Sequence, residues 1–487
     1  MPRPLRWYDL LTINIYFTGL TTLAQTMTPL VVPLLVQQFV GEARQGLFYG
    51  TARLWSLMTA LLVQALMGML SDHSQLHFGR RRPFILLGTL GDLLVIVAIG
   101  FTAGLQGMTG FWVLFILLVL LQVTSNTAQG AAQGLIPDLV PQEHRGRYSG
   151  IKSILEVPIP LILVSFTIGR LVAAGYLWAA LAVCMGILSF TMLVAMFSPE
   201  QVPSKSGRPL DWKPFLRLLA MAAVFTAIIL GMGRLIRFFD SFLAGTPAST
   251  SLAVMGVLGF LLICATVAAG VWISVRISLG PAAGENPSYS WWVINRLAFL
   301  VGSTNIASFT IFYLQGKLAM PRESAAGPAS QLLMFVGIFI LILAFPGGWL
   351  SDRLGRKPLV AASGVIAALG ALILVLAPGL EVIFIGAIFM GAGIGLFYTS
   401  SWALGTDLVP QGEAGRYLGI ANLAGAGAGA VGAYIGGPIA DFFTLNYPAS
   451  PGLGYVLLYA IYGLLFVFSV LVLGKIRMPL QPVQVTR

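Results

Sequence analysis

The stretch DLVPQEHRGRYSGI at Asp138–Ile151 returns as DLVPQGEAGRYLGI at Asp407–Ile420, 269 positions later (407 − 138). A second stretch is also written twice. MGMLSDHSQLHFGRRRPFILLG starts at Met67, and PGGWLSDRLGRKPLVAASG starts at Pro346. Both read Leu-Ser-Asp, then Gly-Arg-basic, then Pro, and the first copy is longer between Asp and Pro. Internal repeats decide a fold before any local reading does. This chain must fold as one unit built twice, with equivalent loops in each copy.

The segments between these loops are apolar blocks, such as FILLGTLGDLLVIVAIGF and YVLLYAIYGLLFVFSVLVLG. Runs of roughly 20 mostly apolar residues cross a bilayer's hydrocarbon core. Only 9% of the 487 residues are charged and 57% are apolar, far from the roughly 25% charge of a soluble domain. The expected fold is an all-α polytopic membrane protein. Its expected spans lie near 9–36, 48–71, 83–103, 110–136, 148–171, 175–197, 214–234, 251–276, 289–316, 330–351, 359–378, 381–406, 417–441 and 454–474.

The net charge of +11 is that of basic cytoplasmic loops and points to no nucleic-acid partner. One set of alternate loops holds Arg80, Arg81, Arg82, Arg145, Arg147, Lys205, Arg353, Arg356, Lys357 and Arg416, and the other set is sparse in Lys and Arg. The positive-inside rule then places the basic set and both termini in the cytoplasm. The N-terminal stretch lacks a small-residue cleavage site, so the first span is expected to stay. Cys184 and Cys264 fall inside spans, which gives no disulfide framework. His73, His77 and His144 are in loops, and no Gly-Lys-Ser/Thr phosphate loop occurs. Metal chemistry, ATP-driven pumping and any cofactor are not expected.

The two repeats sit in matching loops of two six-span halves, 1–198 and 289–487. The stretch 199–288 contains two spans that match neither half and reads as an insertion. Parallel repeats of this kind are a transporter architecture. GWLSDRLGRKP resembles the loop signature of the major facilitator superfamily. VQALMGMLSDHSQLHFGRRRPFI and SNTAQGAAQGLIPDL are similar to the second and fourth spans of one branch, the plant-type sucrose transporters and related glycoside–cation symporters. The resemblance implies two six-helix halves and alternating access to a small solute, a sugar or glycoside, with cation symport. It also implies a monomer in a plasma (bacterial inner) membrane whose partners are that solute, a coupling cation and the lipid bilayer.

Polar residues within spans are costly and face a cavity or a partner. Asn14, Thr18, Thr21 and Gln25 in the first span, and Gln122, Asn126, Gln129 and Gln133 in the fourth, run i, i+4, i+7, i+11 along one helical face. Arg296 and Asn305 mark the ninth span, and Tyr398 and Trp402 the twelfth. The first and fourth spans of each half should therefore line a central cavity, while the third and sixth should face lipid. The 269-residue offset carries Gln129 onto Tyr398 and Gln133 onto Trp402, setting amides for hydroxyls against aromatics for sugar faces. Inter-helix hydrogen bonding for the stripe, and ordinary packing for the aromatics, stand as alternatives.

Two acids lie within spans. Glu156 has Lys152 one turn before it and reads either as a coupling carboxylate or as an ion pair. Asp92 sits on a span expected to be peripheral, where a hydrogen bond to a neighbouring helix suits it better than a proton site. The sucrose-transporter branch carries an aspartate in span four, and the resemblance puts Gln122 there and Gln133 at an arginine position. Glutamine cannot titrate, so that carboxylate is missing here. In the loops, Asp72 can pair with Arg80 and Asp352 with Arg353, and Arg81 and Arg356 belong to the same candidate gating loops. Asp138 is expected to pair with Arg147, and Asp407 with Arg416. The resemblance makes these loops a latch between the halves. A topology signal is the alternative. An exporter of amphipathic drugs or lipids, and a scaffold that transports nothing, are the competing functions.

Overall fold

The computed structural model describes residues 5–76, 78–200, 211–284, 286–322, 324–409, 414–450 and 452–477. All regular structure among them is helical. Spans 1 to 8 are Asp9–Val40, Gln45–Asp72, Arg82–Thr102, Gly107–Leu139, Arg147–Ala173, Leu177–Ala195, Lys213–Leu243 and Ala248–Leu279. Span 9 is a bent pair, Pro287–Ser308 and Thr310–Leu318, with 60° between its parts. Spans 10 to 14 are Ala326–Leu354, Arg356–Leu376, Leu380–Leu408, Ala414–Asn446 and Leu453–Leu473. The helices stand where the apolar runs predict them, with most ends displaced by a few residues and span 7 running nine further (243 − 234). Among the described residues 12 helices, or 13 with the bent pair, are long and apolar enough to cross a membrane, against fourteen expected.

The repeated loop has a local cause for its glycine. Gly79 and Gly355 have φ of +115° and +91°, a region that side chains with a Cβ avoid. Each lies just before a span whose first turn holds the motif proline, Pro83 or Pro358. Proline presets a helix start, because the N–H it lacks is unpaired there anyway. Glycine thus reverses the chain and proline starts the next span. At span 3 the Glu200 carboxylate completes the start by accepting from the amides of Arg81 (2.5 Å) and Arg82 (3.1 Å), where the helix dipole favours an anion.

Packing repeats as the sequence does. Span 4 packs on spans 2 and 3, and span 6 on spans 1 and 3. Span 12 likewise packs on spans 10 and 11, and span 14 on spans 9 and 11. Between the halves, span 2 meets span 13 and span 5 meets span 10. Spans 3, 6, 11 and 14 turn Leu94, Phe190, Leu372 and Leu471 outward, as lipid-facing helices do. Spans 1 and 9 are the enclosed ones, with Asn14, Thr22, Asn295 and Asn305 fully buried.

The seam between spans 2 and 13 is not uniform. A Cβ at Gly437 would overlap the carbonyl of Gly46, and one at Gly50 would overlap that of Ala433. Glycine lets these backbones touch. Further along span 13, Gly429 faces the side chain of Arg53, and Gly425 has nothing within 4 Å. The two helices therefore splay apart toward the end that carries the repeated loops. At the opposite end, Asp441 of span 13 accepts from the amides of Gly46 (2.8 Å) and Leu47 (2.7 Å), capping span 2 across the half boundary. Gln45 to Tyr455 (2.9 Å) and Arg322 to the Leu34 carbonyl (2.7 Å) also cross there. Among the described residues, the contacts that close spans 2 and 13 together lie at this end and not at the loop-motif end.

Spans 7 and 8 pack on each other and against spans 13, 9, 14 and 2. Phe225 of span 7 fills the space that Gly270 of span 8 and Gly427 of span 13 leave. Tyr447, just past span 13, donates to the Thr246 carbonyl and shares a hydrogen bond with Ser251, both at 2.7 Å. The pair thus covers the small-residue face of span 13.

Candidate functional site

Two chambers lie between the halves. One, of about 440 Å³, is walled by spans 1, 2, 4 and 9 and presents Arg53, Ser56, Gln64, Gln122, Asn126 and Gln129. The other, of about 670 Å³, is walled mainly by spans 5, 9, 10 and 12 and is largely aliphatic. Gln25, Thr304 and Ala307 line both, so the chambers adjoin at spans 1 and 9.

The helices are irregular beside them. Span 1 makes a π-helical turn at Met27–Val31 around Pro29, just past Gln25. Proline removes an N–H and displaces the turn before it. Span 9 bends at Phe309, where the Tyr459 hydroxyl (2.8 Å) and the Thr310 hydroxyl (2.9 Å) both donate to the Ile306 carbonyl. A side chain inserted into the backbone ladder bends a helix.

Of the span-four stripe, Gln122, Asn126 and Gln129 line the polar chamber. Asn126 donates to the backbone carbonyl of Gln122 (2.8 Å) and to its side-chain oxygen (3.0 Å), which orients both amides. Gln133, one turn further, is exposed and lines neither chamber, because span 4 has left the half interface there. Gln25 stands at the junction and Tyr398 on the aliphatic side.

Four other expected binding residues lie elsewhere. Asn14 is buried and donates to the Leu10 carbonyl (2.9 Å). Asn305 is buried and donates to the carbonyls of Val301 (2.9 Å) and Ala428 (3.0 Å), tying span 9 to span 13. Arg296 lies over the rings of Trp402 (5.0 Å) and Trp292 (5.9 Å), an arrangement that holds a guanidinium by cation–π attraction. Neither Arg296 nor Trp402 lines a chamber. The pair closes the side of span 9 where the sequence predicts solute contact.

Arg53 and Gln64 of span 2 belong to the polar chamber and escape the stripe argument, which considers only the first and fourth spans. Arg53 is the only charged residue lining it among the described residues, and its Nε is buried without a hydrogen-bond partner among them. The signal is present in the sequence: an arginine inside the apolar run TARLWSLMTALLVQALMG is a functional candidate on cost alone.

Glu156 lines the aliphatic chamber and pairs with Lys152 at 3.5 Å. Lys152 also sits 4.1 Å over the Phe17 ring. Asp92 is fully buried on span 3 and accepts from Thr124 (2.5 Å) and Ser125 (2.7 Å) of span 4. These bonds fasten the two helices together; Asp92 itself lines neither chamber, while its partner Ser125 lines the polar one.

The loop acids pair differently from the expectation. Asp138 binds Arg81 (2.9 Å), with Arg80 at 4.0 Å, and does not pair with Arg147. Arg81 also contacts Asp72 and donates to Ser71 (2.6 Å), while Arg80 reaches Asp72 at 3.0 Å. Arg147 points outward from span 5. Arg145 reaches the loop instead, donating to the carbonyls of Val140 (3.1 Å) and Pro137 (2.8 Å). Asp407 pairs with Arg356, which also donates to the Ala403 carbonyl (2.7 Å). Counted back from the motif prolines, Arg81 and Arg356 are equivalent positions, so the acid of one repeat is held by the arginine of the other in both halves. Arg353 lies over the Trp349 ring at 4.2 Å. The side chains of Asp352 and Arg416 fall outside the described residues. The ion pairs described here each lie within a half and do not bridge the two.

Comparison with known proteins bears on this geometry. The family model for the Major Facilitator Superfamily matches residues 16–321 and 297–485. A sucrose transport protein of Arabidopsis thaliana is 28% identical over 184 residues, 31% of each chain. A minor myo-inositol transporter of Bacillus subtilis is 33% identical over 88 residues, 18% of this chain and 20% of its own. The chain thus spans under a third of the length of these curated relatives. A D-xylose–proton symporter structure superposes with a TM-score of 0.63 at 16% identity, covering 97% of both chains. A nucleoside transporter structure gives 0.59 at 14% identity, covering 96% of this chain and 98% of its own. At such identities the two structures speak for the fold alone.

Proposed function

Because the chain belongs to the major facilitator superfamily and is a multi-pass integral membrane protein, we propose that it moves a sugar or glycoside across a membrane by alternating access, coupled to a cation. The supporting observation is the polar chamber. Three amides of span 4, Gln64 and Arg53 converge on one cavity between the halves. Amides offer both donors and acceptors, which suits neutral polyols. The printed names of the sucrose and inositol relatives point the same way.

In this reading the motif loops and both termini are cytoplasmic, and the membrane is a bacterial inner membrane. The chain works as a monomer of two halves, 1–198 and 289–487, with 199–288 as an added pair. The structure then corresponds to an inward-facing state. Glu156 is the coupling carboxylate: it lines a chamber and has a cation partner that proton loading would release.

The test is uptake and counterflow in proteoliposomes with labelled mono- and disaccharides, under imposed proton and sodium gradients. Glu156→Gln should abolish gradient-driven accumulation while counterflow persists. Accumulation at the parent rate would leave Glu156 as the structural partner of Lys152. Absence of counterflow and of ligand-induced thermal stabilisation with every sugar and glycoside tried would end the carbohydrate reading.

A further inference from the structure

We infer that the solute is an amphiphilic glycoside carrying an alkyl chain, its sugar held in the polar chamber and its chain in the aliphatic one. The inference rests on the carbohydrate reading above and narrows it.

The polar chamber alone, at about 440 Å³, falls within the usual range for a small-molecule site, roughly 300–1,000 Å³. The larger neighbouring space has no use in binding a free sugar. Its far wall is Leu332, Leu333, Val336, Ile340, Met390 and Ile394, which offers nothing to a hydroxyl. Within the space of about 670 Å³, water beside that wall lacks the two to four polar partners that order it. An apolar group is the occupant that suits it.

Continuity sets the identity of that occupant. Gln25, Thr304 and Ala307 face both chambers, so one molecule can have its ends in each. Polar side chains share the rest of the lining, among them Thr21, Ser303, Thr310, Glu156, Tyr398 and Thr399. The arrangement has a hydrogen-bonding head site with one unpartnered guanidinium N–H at Arg53, a junction shared by both chambers, and a tail site with one continuous apolar wall. A disaccharide would place hydroxyls against leucine and isoleucine and lose their hydrogen bonds. A lipid tail alone would leave the amides and Arg53 unanswered. A single-chain glycoside answers both.

The experiment measures affinity for methyl, butyl, hexyl and octyl β-glucosides, below their micelle concentrations, with the purified full chain in lipid nanodiscs and empty nanodiscs as blank. Burying a CH₂ tightens binding by about two- to fourfold, so octyl should bind about a hundredfold or more tighter than methyl. Ala344→Phe and Ile340→Phe, each filling the tail chamber from span 10, should flatten that dependence. Two substitutions keep the test alive if one fails to fold. Arg53→Gln should weaken every member by a similar factor.

Binding of all four glucosides without chain-length dependence would overturn the inference and leave the carbohydrate reading standing. An equal dependence for 1-alkanols of the same lengths would also overturn it, since the head would then not be read. Failure of every glucoside to bind would overturn the inference as well, and the carbohydrate reading would then stand or fall on the counterflow test with mono- and disaccharides.

Discussion

The two ends of the bundle are held by different kinds of contact. At the closed end, spans 2 and 13 touch backbone to backbone at Gly46, Gly437 and Gly50, and Asp441 caps the partner half's helix. At the motif end, Arg81 with Asp72 and Asp138, and Arg356 with Asp407, tie loops within one half. Glycine seams are short-range and directional. They form only when the halves meet in one register, and they vanish when the halves separate. Ion pairs inside a half survive that separation. The contrast suits the proposed alternating access, in which each half would move as a body and the seam between them would change.

The sharpest way to break the comparison is Gly437→Val. The added carbons would meet the Gly46 carbonyl, and a backbone atom cannot swing away as a side chain does. The closed end should fail to close, transport should fall about tenfold or more, and a cysteine at Ser308 should become labelled from that end. Transport at the parent rate would show that this seam is no gate. The cost resembles overpacking, about 1–3 kcal/mol against the closed state.

Arg81→Ala probes the other end. It strips Asp72, Asp138 and Ser71 of one buried cation. The two acids are 46% and 30% exposed and can rehydrate, so the loss should be about 2 kcal/mol and not that of a fully buried pair. Arg356→Ala should cost about half as much, because Arg356 is itself 31% exposed and holds one acid. Melting temperatures of both variants in one lipid condition give the ranking. An equal loss would mean that the repeats carry equal weight despite their different burial.

Asp441→Asn keeps the shape of the cap and changes one acceptor into a donor facing an amide N–H. The closed end should loosen by about 1–2 kcal/mol, read as increased labelling of the same cysteine at Ser308. Unchanged labelling would leave closure to the glycines alone. The smallest effect belongs to Asp92→Asn. The amide oxygen still accepts from Thr124 and Ser125, so stability should change by about 1 kcal/mol or less, with accumulation intact. Loss of gradient-driven accumulation in that variant would move coupling from Glu156 to Asp92.

Much of the architecture is legible without coordinates, because apolar run length and a repeated loop are local signals. The site is only half legible. Gln122, Asn126 and Gln129 stand where a one-face stripe puts them, since a straight helix keeps its face. Gln133 fails because span 4 leaves the interface before reaching it. Asn305 and Arg296 fail for another reason: a polar residue on an enclosed helix can be satisfied by a neighbouring carbonyl or ring as well as by a solute, and spacing does not say which. Arg53 was visible as a costly charge, but the stripe argument considers only first and fourth spans, and Arg53 is on the second.

What the chain's sequence determines by itself is the class of solvent it folds in and the duplication that pairs span 1 with 9 and span 4 with 12. Hydrophobic length and internal similarity are properties of neighbours along the chain. The partners of the loop acids, the splay of spans 2 and 13, and the division of the cavity into a polar and an aliphatic chamber were decided by tertiary structure alone. Each depends on which surfaces of distant helices meet. Asp138 finds Arg81 and not Arg147 because helix packing, not sequence distance, sets which cation stands within reach.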